Sequence, residues 1–156
     1  MDKNIRKEVE DMLLSKYESL YRLAYSYAGN EADALDIIQE SAYRAMLNCG
    51  SIKRTEYIGT WIYRIVVNTA TDMLRKKKRT VSVEIIEEQG REDKISDQDL
   101  RKAVKALDEN DKTILFLKFC EDLTFSEIAE VTGENENTVK TRYYRLMGRL
   151  RNKLDG

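Results

Sequence analysis

Proline occurs nowhere in the 156 residues, and glycine only seven times. Proline stops a helix interior because it lacks the N–H and its ring clashes with the preceding turn; glycine weakens one through backbone entropy. A chain free of the first and poor in the second is open to long helices, and apolar spacing decides where they lie. Tyr17, Leu20, Tyr21, Leu23, Ala24 and Tyr27 recur at the i, i+3, i+4, i+7 spacing and form one apolar stripe. Gly29-Asn30 interrupts it, and Asn30 can cap a new helix with Glu31 and Asp33 in its first turn. That helix is expected to reach about Leu47, where Asn48-Cys49-Gly50-Ser51 ends it. Another is expected from near Glu56 through Trp61, Ile65, Val66 and Met73 into a basic block at 75–79.

Residues 81–96 carry no helical stripe, and their low hydrophobicity leaves little to bury. From Asp97 the helical pattern resumes with Leu100, Val104 and Leu107. A strongly apolar helix containing Ile114, Leu115, Leu117, Lys118 and Phe119 follows. The expected fold class is all-α: two small helical domains, 1–80 and 97–156, joined by a flexible acidic linker over 81–96.

Charge is distributed unevenly. The net charge is only −1, which by itself argues against a nucleic-acid partner. Yet residues 75–79 are five consecutive cations, and residues 138–156 hold six basic side chains against the single acid Asp155. Residues 81–99 contain seven acids and two bases. Two basic ends around an acidic middle suggest two DNA-facing modules on a tether. No histidine is present, which removes the commonest general base and metal ligand. Cys49 and Cys120 lie far apart without CxxC partners, so neither a zinc site nor a disulfide framework is expected. There is no Gly-rich phosphate loop, and an enzyme, a cofactor and a small-molecule substrate are not expected. The charged start MDKNIRKEVEDML and the lack of any apolar run of about 18 residues predict a cytoplasmic protein.

The most specific local signal is LTFSEIAEVTGENENTVKTRYYRLMGRLRNKL, residues 123–154. Thr124 and Glu127 have the spacing of a capping box, in which each side chain bonds the other's backbone amide. The short helix so opened presents Ile128, Ala129 and Val131 inward, Gly133 supplies a turn, and Asn135 can cap the next helix. On that helix Val139, Tyr143, Leu146 and Leu150 fall within about 60° of one another and form a packing face. Asn137, Thr141, Tyr144 and Arg145 project from the other side, with Lys140 at the edge. This is a helix-turn-helix, whose second helix reads base edges while its basic end meets phosphates.

Two further segments carry a family resemblance. DALDIIQESAYRAM, residues 33–46, resembles the polymerase-binding helix of extracytoplasmic-function (ECF) sigma factors of the sigma-70 family. WIYRIVVNTATDMLRKKKR, residues 61–79, is similar to that family's promoter-melting helix, and EIAEVTGENENTVKTRYYRLMGRLR, residues 127–151, to its −35-reading helix-turn-helix. The resemblance covers about 10–79 and 97–154. One departure is visible: where the family often has a proline before the second helix of the C-terminal domain, this chain has Leu107-Asp108-Glu109-Asn110, and Asp108 can cap there.

The resemblance implies an RNA polymerase core docking surface at Leu35, Asp36, Gln39, Glu40 and Tyr43. On the residues alone, Asp36, Glu40 and Tyr43 share a face with Gln39 beside it, while Ala34, Ile38, Ala42 and Ala45 pack inward. For the −10 element, the expected inward residues are Ile62, Ile65, Val66, Thr69 and Met73. Arg64, Asn68, Asp72 and Arg75 line the outer surface. Tyr57, Trp61 and Tyr63, with the loop 50–57, are candidates to receive unpaired bases, and Arg75, Lys76, Lys77, Lys78 and Arg79 to grip phosphates. For the −35 element the candidates are Asn137, Thr138, Lys140, Thr141, Arg142, Tyr144, Arg145 and Arg149. The stretch 80–97 that lacks a clear helical stripe, about 18 residues at roughly 3.3 Å each, reaches about 60 Å, the rise of roughly 17 or 18 base pairs. The family further implies an anti-sigma factor, often at the membrane, and a stress or cell-envelope role. A one-component repressor and a helical protein adaptor are the rival readings; the first needs an effector pocket or dimer face, neither of which is visible.

Overall fold

The structure is a computed structural model that describes residues 2–80 and 107–155, with side chains described for 4–77 and 107–152. The expected linker at 81–96, the stripe of Leu100 and Val104, and the Lys78 and Arg79 side chains lie outside those residues. Among the described residues every regular element is helical, as the missing proline and the apolar spacing require.

The N-terminal unit contains α1 (Asp2–Ser15), α2 (Tyr17–Ala28), α3 (Glu31–Asn48) and α4 (Ile58–Thr80), with two 3-10 turns, Cys49–Ser51 and Thr55–Tyr57, between the last two. Gly29 takes a left-handed φ of 78° and returns its N–H to the Tyr25 carbonyl, closing α2. The Asn30 side chain accepts from the Asp33 amide at 2.9 Å and opens α3, as its position in the sequence predicts. Leu20, Leu23 and Ala24 of α2, Ala34, Ile37 and Ala45 of α3, and Ile58, Ile62 and Val66 of α4 are buried together.

Three details depart from the sequence expectation. Helix α1 covers a segment that reads as merely charged, yet Val9 is fully buried and Ile5, Met12 and Leu13 pack beside it. Tyr17, expected in the α2 core stripe, is instead exposed; it begins a row of rings with Tyr21 and Tyr25, 6.4 and 6.0 Å apart, in which Tyr21 packs against the core as expected and Tyr25 is exposed. On α3 the buried face is Ala34, Ile37, Ser41 and Ala45, so Ile38 and Ala42 sit at its edge. The expected face was rotated by one residue because Ser41, a polar residue, lies inside it.

The C-terminal unit contains α5 (Glu109–Phe119), α6 (Phe125–Thr132) and α7 (Glu136–Asp155). Asp108 caps α5 through the Asp111 amide at 2.9 Å. The Thr124–Glu127 capping box is complete, with bonds of 3.0 and 2.8 Å. Gly133 turns with φ 77°, and Asn135 accepts from the Asn137 amide at 2.8 Å to open α7. Ile114, Leu117, Ile128, Val131, Val139 and Leu146 fill the interior.

The two units share one apolar cluster that runs without a break from Val9 and Leu23 to Ile128 and Val139. Helix α6 lies along α4, and α5 meets α2. Across the boundary the buried hydroxyls of Tyr27 and Thr113 are hydrogen-bonded. Thr113 gives its only proton to the Glu109 carbonyl, so Tyr27 is the donor. Burial pushes the Tyr27 hydroxyl up to about 12, which keeps it a neutral donor at physiological pH.

Replacing Thr124 with alanine removes the N-cap of α6 and is expected to cost about 1 kcal/mol, read as a lowered midpoint in urea or thermal unfolding. A second expected effect concerns pH. Asp33 is hydrogen-bonded to Lys77 across the α3–α4 junction and to Asn30 at 3.0 Å. These bonds, Lys77 first, hold its carboxyl below the usual range. A carboxyl depressed in the fold contributes stability above its ordinary value near about 4, and loses it as the pH falls through the depressed value. Asp33→Asn should therefore be less stable than wild type at neutral pH, with the gap closing below about pH 4. A gap constant across that range in stepped-pH denaturation would assign the acid limb to other groups.

Candidate functional site

Three surfaces carry the chemistry anticipated from the sequence. On α3, Asp36 and Gln39 are exposed, and Tyr43 is 62% exposed although it is a large aromatic. Leu35 is half-buried beside them. Glu40 differs: its carboxylate accepts from Arg44 Nε at 3.0 Å, and the same guanidinium reaches Asp72 of α4 at 3.2 Å. Burial works against the Arg44 charge, but the two carboxylates outweigh it and raise its already high value. Arg44 thereby joins a residue assigned to docking with one assigned to DNA, a link absent from the sequence reading. Its signal was available in part, since Glu40 and Arg44 stand at i, i+4.

Helix α4 buries Ile58, Ile62, Val66, Thr69 and Ala70, with Ile65 and Met73 partly covered. Arg64, Asn68 and Arg75 are exposed on the other side, and so are the Lys76 and Lys77 side chains. Asp72 is held between Arg44 and, at 3.9 Å, Arg75. At the N-terminal end of α4 and the loop before it, Lys53, Arg54, Tyr57, Trp61 and Arg64 line an open groove of about 410 Å³. Tyr57 is 52% exposed. Two aromatic rings beside three cations suit a base stacked flat with phosphates on either side. Tyr63 does not belong to this groove: it is 3% exposed, and its hydroxyl donates to Glu121 of the C-terminal unit at 2.5 Å. Burial, then the Glu121 carboxylate, pushes that hydroxyl well above the usual tyrosine range.

On α7 the packing face is as the spacing predicts, with Val139 and Leu146 buried and Leu150 nearly so. Asn137, Thr138, Lys140, Thr141, Tyr144, Arg145 and Arg149 are all exposed. Arg142 is the exception among the expected DNA contacts. It turns inward, 3.7 Å from Asp111 and 3.4 Å from Glu134, and ties α7 to α5 and to the turn after α6. Its position explains this, three residues after Val139 and four before Leu146 on the buried side of the helix. The structure adds a cluster that the sequence reading missed. The Phe125 ring lies 5.5 Å from Tyr143 and 5.9 Å from Tyr144, with the Lys118 ammonium 4.6 Å from its centroid. This cluster stiffens Tyr144, which is 62% exposed, at the start of the outward face.

Among the described residues no group of three His, Cys, Asp or Glu could hold a metal ion. No described helix is long and apolar enough to cross a membrane.

Comparison with known proteins places these surfaces in a family. Residues 13–80 match the family model Sigma-70 region 2, and residues 97–150 match Sigma-70, region 4. RNA polymerase sigma factor SigV of Bacillus subtilis is 48% identical over 141 residues, covering 88% of this chain and 85% of the relative. ECF RNA polymerase sigma factor SigW of the same organism is 30% identical, covering 88% and 83%. Among solved structures, the sigma factor RpoE in complex with the anti-sigma factor NepR from Bartonella quintana superposes with a TM-score of 0.78 at 22% identity, covering 96% of this chain and 98% of that one. CnrH in complex with the cytosolic domain of CnrY gives 0.66 at 19% identity, covering 94% and 84%; both show the fold. A helix-turn-helix behind a four-helix unit, with both segments matched in order and close identity across both, makes this chain an RNA polymerase sigma factor of the ECF group in the sigma-70 family.

Proposed function

We propose that this sigma factor divides its work between its units. Residues 1–80 dock on core polymerase and open the −10 element, residues 97–156 read the −35 element, and 81–96 form the tether between them. Asp36, Gln39 and Tyr43, flanked by Leu35, present an acidic, amide and aromatic surface suited to a basic protein partner. Glu40 supports this face from within its Arg44 pair. Tyr57 and Trp61 receive an unpaired base. Arg64, Asn68, Arg75 and the lysines beyond hold the adjoining backbone, with Asp72 setting their spacing. Asn137, Thr141, Tyr144 and Arg145 face bases in the major groove, and Thr138, Lys140 and Arg149 face phosphates. Arg142 serves the fold of this unit.

The observation that carries this reading is the segregation along α7, where every residue assigned to DNA except Arg142 is exposed while Val139 and Leu146 are buried. The chain performs no covalent chemistry in this scheme; it acts in the cytoplasm, selects promoters for a cell-envelope stress response, and is held in reserve by an anti-sigma protein.

Two substitutions test the scheme. Asp36 is exposed, whereas Glu40 is committed to Arg44, so Asp36→Arg should abolish core binding without loss of helicity; undiminished binding in a pull-down with purified core polymerase refutes the docking face. Arg145→Ala should weaken binding of the holoenzyme to its upstream element by about 1–3 kcal/mol. An equal loss on unrelated DNA in the same titration makes Arg145 a phosphate contact instead.

A further inference from the structure

Four side chains of alternating charge run from the docking face of α3 to the DNA face of α4. Arg44 Nε donates to the Glu40 carboxylate at 3.0 Å, and Arg44 Nη1 donates to one oxygen of Asp72 at 3.2 Å. The other Asp72 oxygen lies 3.9 Å from Arg75. Arg44 lines a cavity of about 580 Å³ between the two helices, which Ile37, Met73 and Leu74 line as well. Its side chain is 34% exposed, so water weakens these bonds only in part. Each charge in the middle of the row is shared. Glu40 and Asp72 divide one guanidinium between them, each held by a single bond, whereas a carboxylate with the planar fork to itself takes two parallel bonds. Arg44 and Arg75 in turn divide Asp72. Whatever draws Glu40 away therefore strengthens the Arg44–Asp72 pair and weakens the hold of Asp72 on Arg75.

We propose that Arg44 is a positioning residue that passes polymerase docking on to the DNA face. When a basic group of the polymerase draws Glu40, Arg44 gives its whole fork to Asp72, and Arg75 is freed to grip a backbone phosphate. This rests on the reading that α3 docks on core polymerase and that the outer side of α4 holds DNA. The sign of the coupling follows from the alternation: withdrawing an acid at one end releases a cation at the other. Coupling of this kind is reciprocal, so a phosphate that takes Arg75 frees Asp72 for Arg44, loosens Glu40 and favours docking by the same factor. Lysine cannot replace Arg44 here. It keeps the charge and the i, i+4 pairing with Glu40, but a single ammonium lacks the flat fork that serves two carboxylates on two helices.

Glu40→Gln keeps the shape of the side chain and withdraws its charge, as docking would. The full chain is titrated into a labelled, mixed-sequence single strand of about 12 nucleotides, within the usual site size, and binding is followed by fluorescence anisotropy. Glu40→Gln should bind about two- to fivefold tighter than wild type, the worth of one exposed ion pair. The gain should shrink below about 1.3-fold when Arg75→Ala or Arg44→Lys is also present, because distant, independent sites add and linked ones do not. Simple loss of repulsion between Glu40 and the strand would give an equal gain in every background, and that additivity overturns the relay. With core polymerase in excess, wild type should match Glu40→Gln; a gain that persists there means that docking does not draw on Glu40, and overturns the link to polymerase. Arg75→Ala binding as tightly as wild type, or no binding by either, refutes instead the assignment of α4 to DNA, and the relay falls with it. Thermal unfolding of Glu40→Gln and Arg44→Lys within about 4 °C of wild type verifies that the fold is intact.

Discussion

The contact between α6 and α4 is the interaction on which the rest of the described structure depends. A unit of about fifty residues buries too little of its own surface for comfort, and α6 is only eight residues long. Ile128 and Val131 turn into the C-terminal unit, while the cluster they join continues into Ile62 and Val66 of α4. Each fully buried aliphatic side chain contributes about 1.5–3 kcal/mol, against about 0.5–1.5 for a typical hydrogen bond. Apolar burial therefore supplies most of the cohesion between the units. The Tyr63–Glu121 and Tyr27–Thr113 bonds decide which faces meet, because a buried hydroxyl or carboxylate set against the wrong face would lose its partner.

Charge is sorted by the same packing. Helix α3 is acidic on two sides and α4 ends in cations. Where they face each other, Arg44 takes up Glu40 and Asp72, and Lys77 takes up Asp33. Also outward are Asp36, Gln39 and Tyr43 on one side, and Arg64, Asn68, Arg75 and Lys76 on the other. A net charge of −1 conveys little about this protein for that reason, since many of the cations in and around α4 are matched before any partner arrives.

Much of this was legible from the residues alone, and the successes have a common cause. Asn30, Asp108, Thr124 with Glu127, Gly133 and Asn135 each act within three residues of themselves, so spacing suffices to read them. The outward face of α7 followed from period alone. The misses involve partners distant in sequence. Tyr63 looks like a companion of Trp61 until Glu121, 58 positions away, is brought to it. Arg142 looks like one more cation of a basic helix until Asp111 and Glu134 are seen beside it. Tyr17 and Tyr21 fit the core spacing of α2 as well as Leu20 does, and only the position of neighbouring helices leaves Tyr17 at the surface. Ser41 is 2% exposed on the buried face of α3, against the hydropathy pattern.

The distant pairs share a further property. Tyr63 and Glu121 are each nearly buried, and each belongs to an element assigned to promoter contact or next to one. Tyr63 shares one apolar cluster with Val66 and Val67 while its hydroxyl is given to Glu121. Glu121 has that hydroxyl and, at 3.9 Å, the Lys16 ammonium beside the same carboxylate oxygen, which compensates an ionisable side chain that is only 7% exposed. A misplaced face would leave this carboxylate buried without a partner, so the pair makes the contact specific where the apolar surfaces alone would make it merely cohesive.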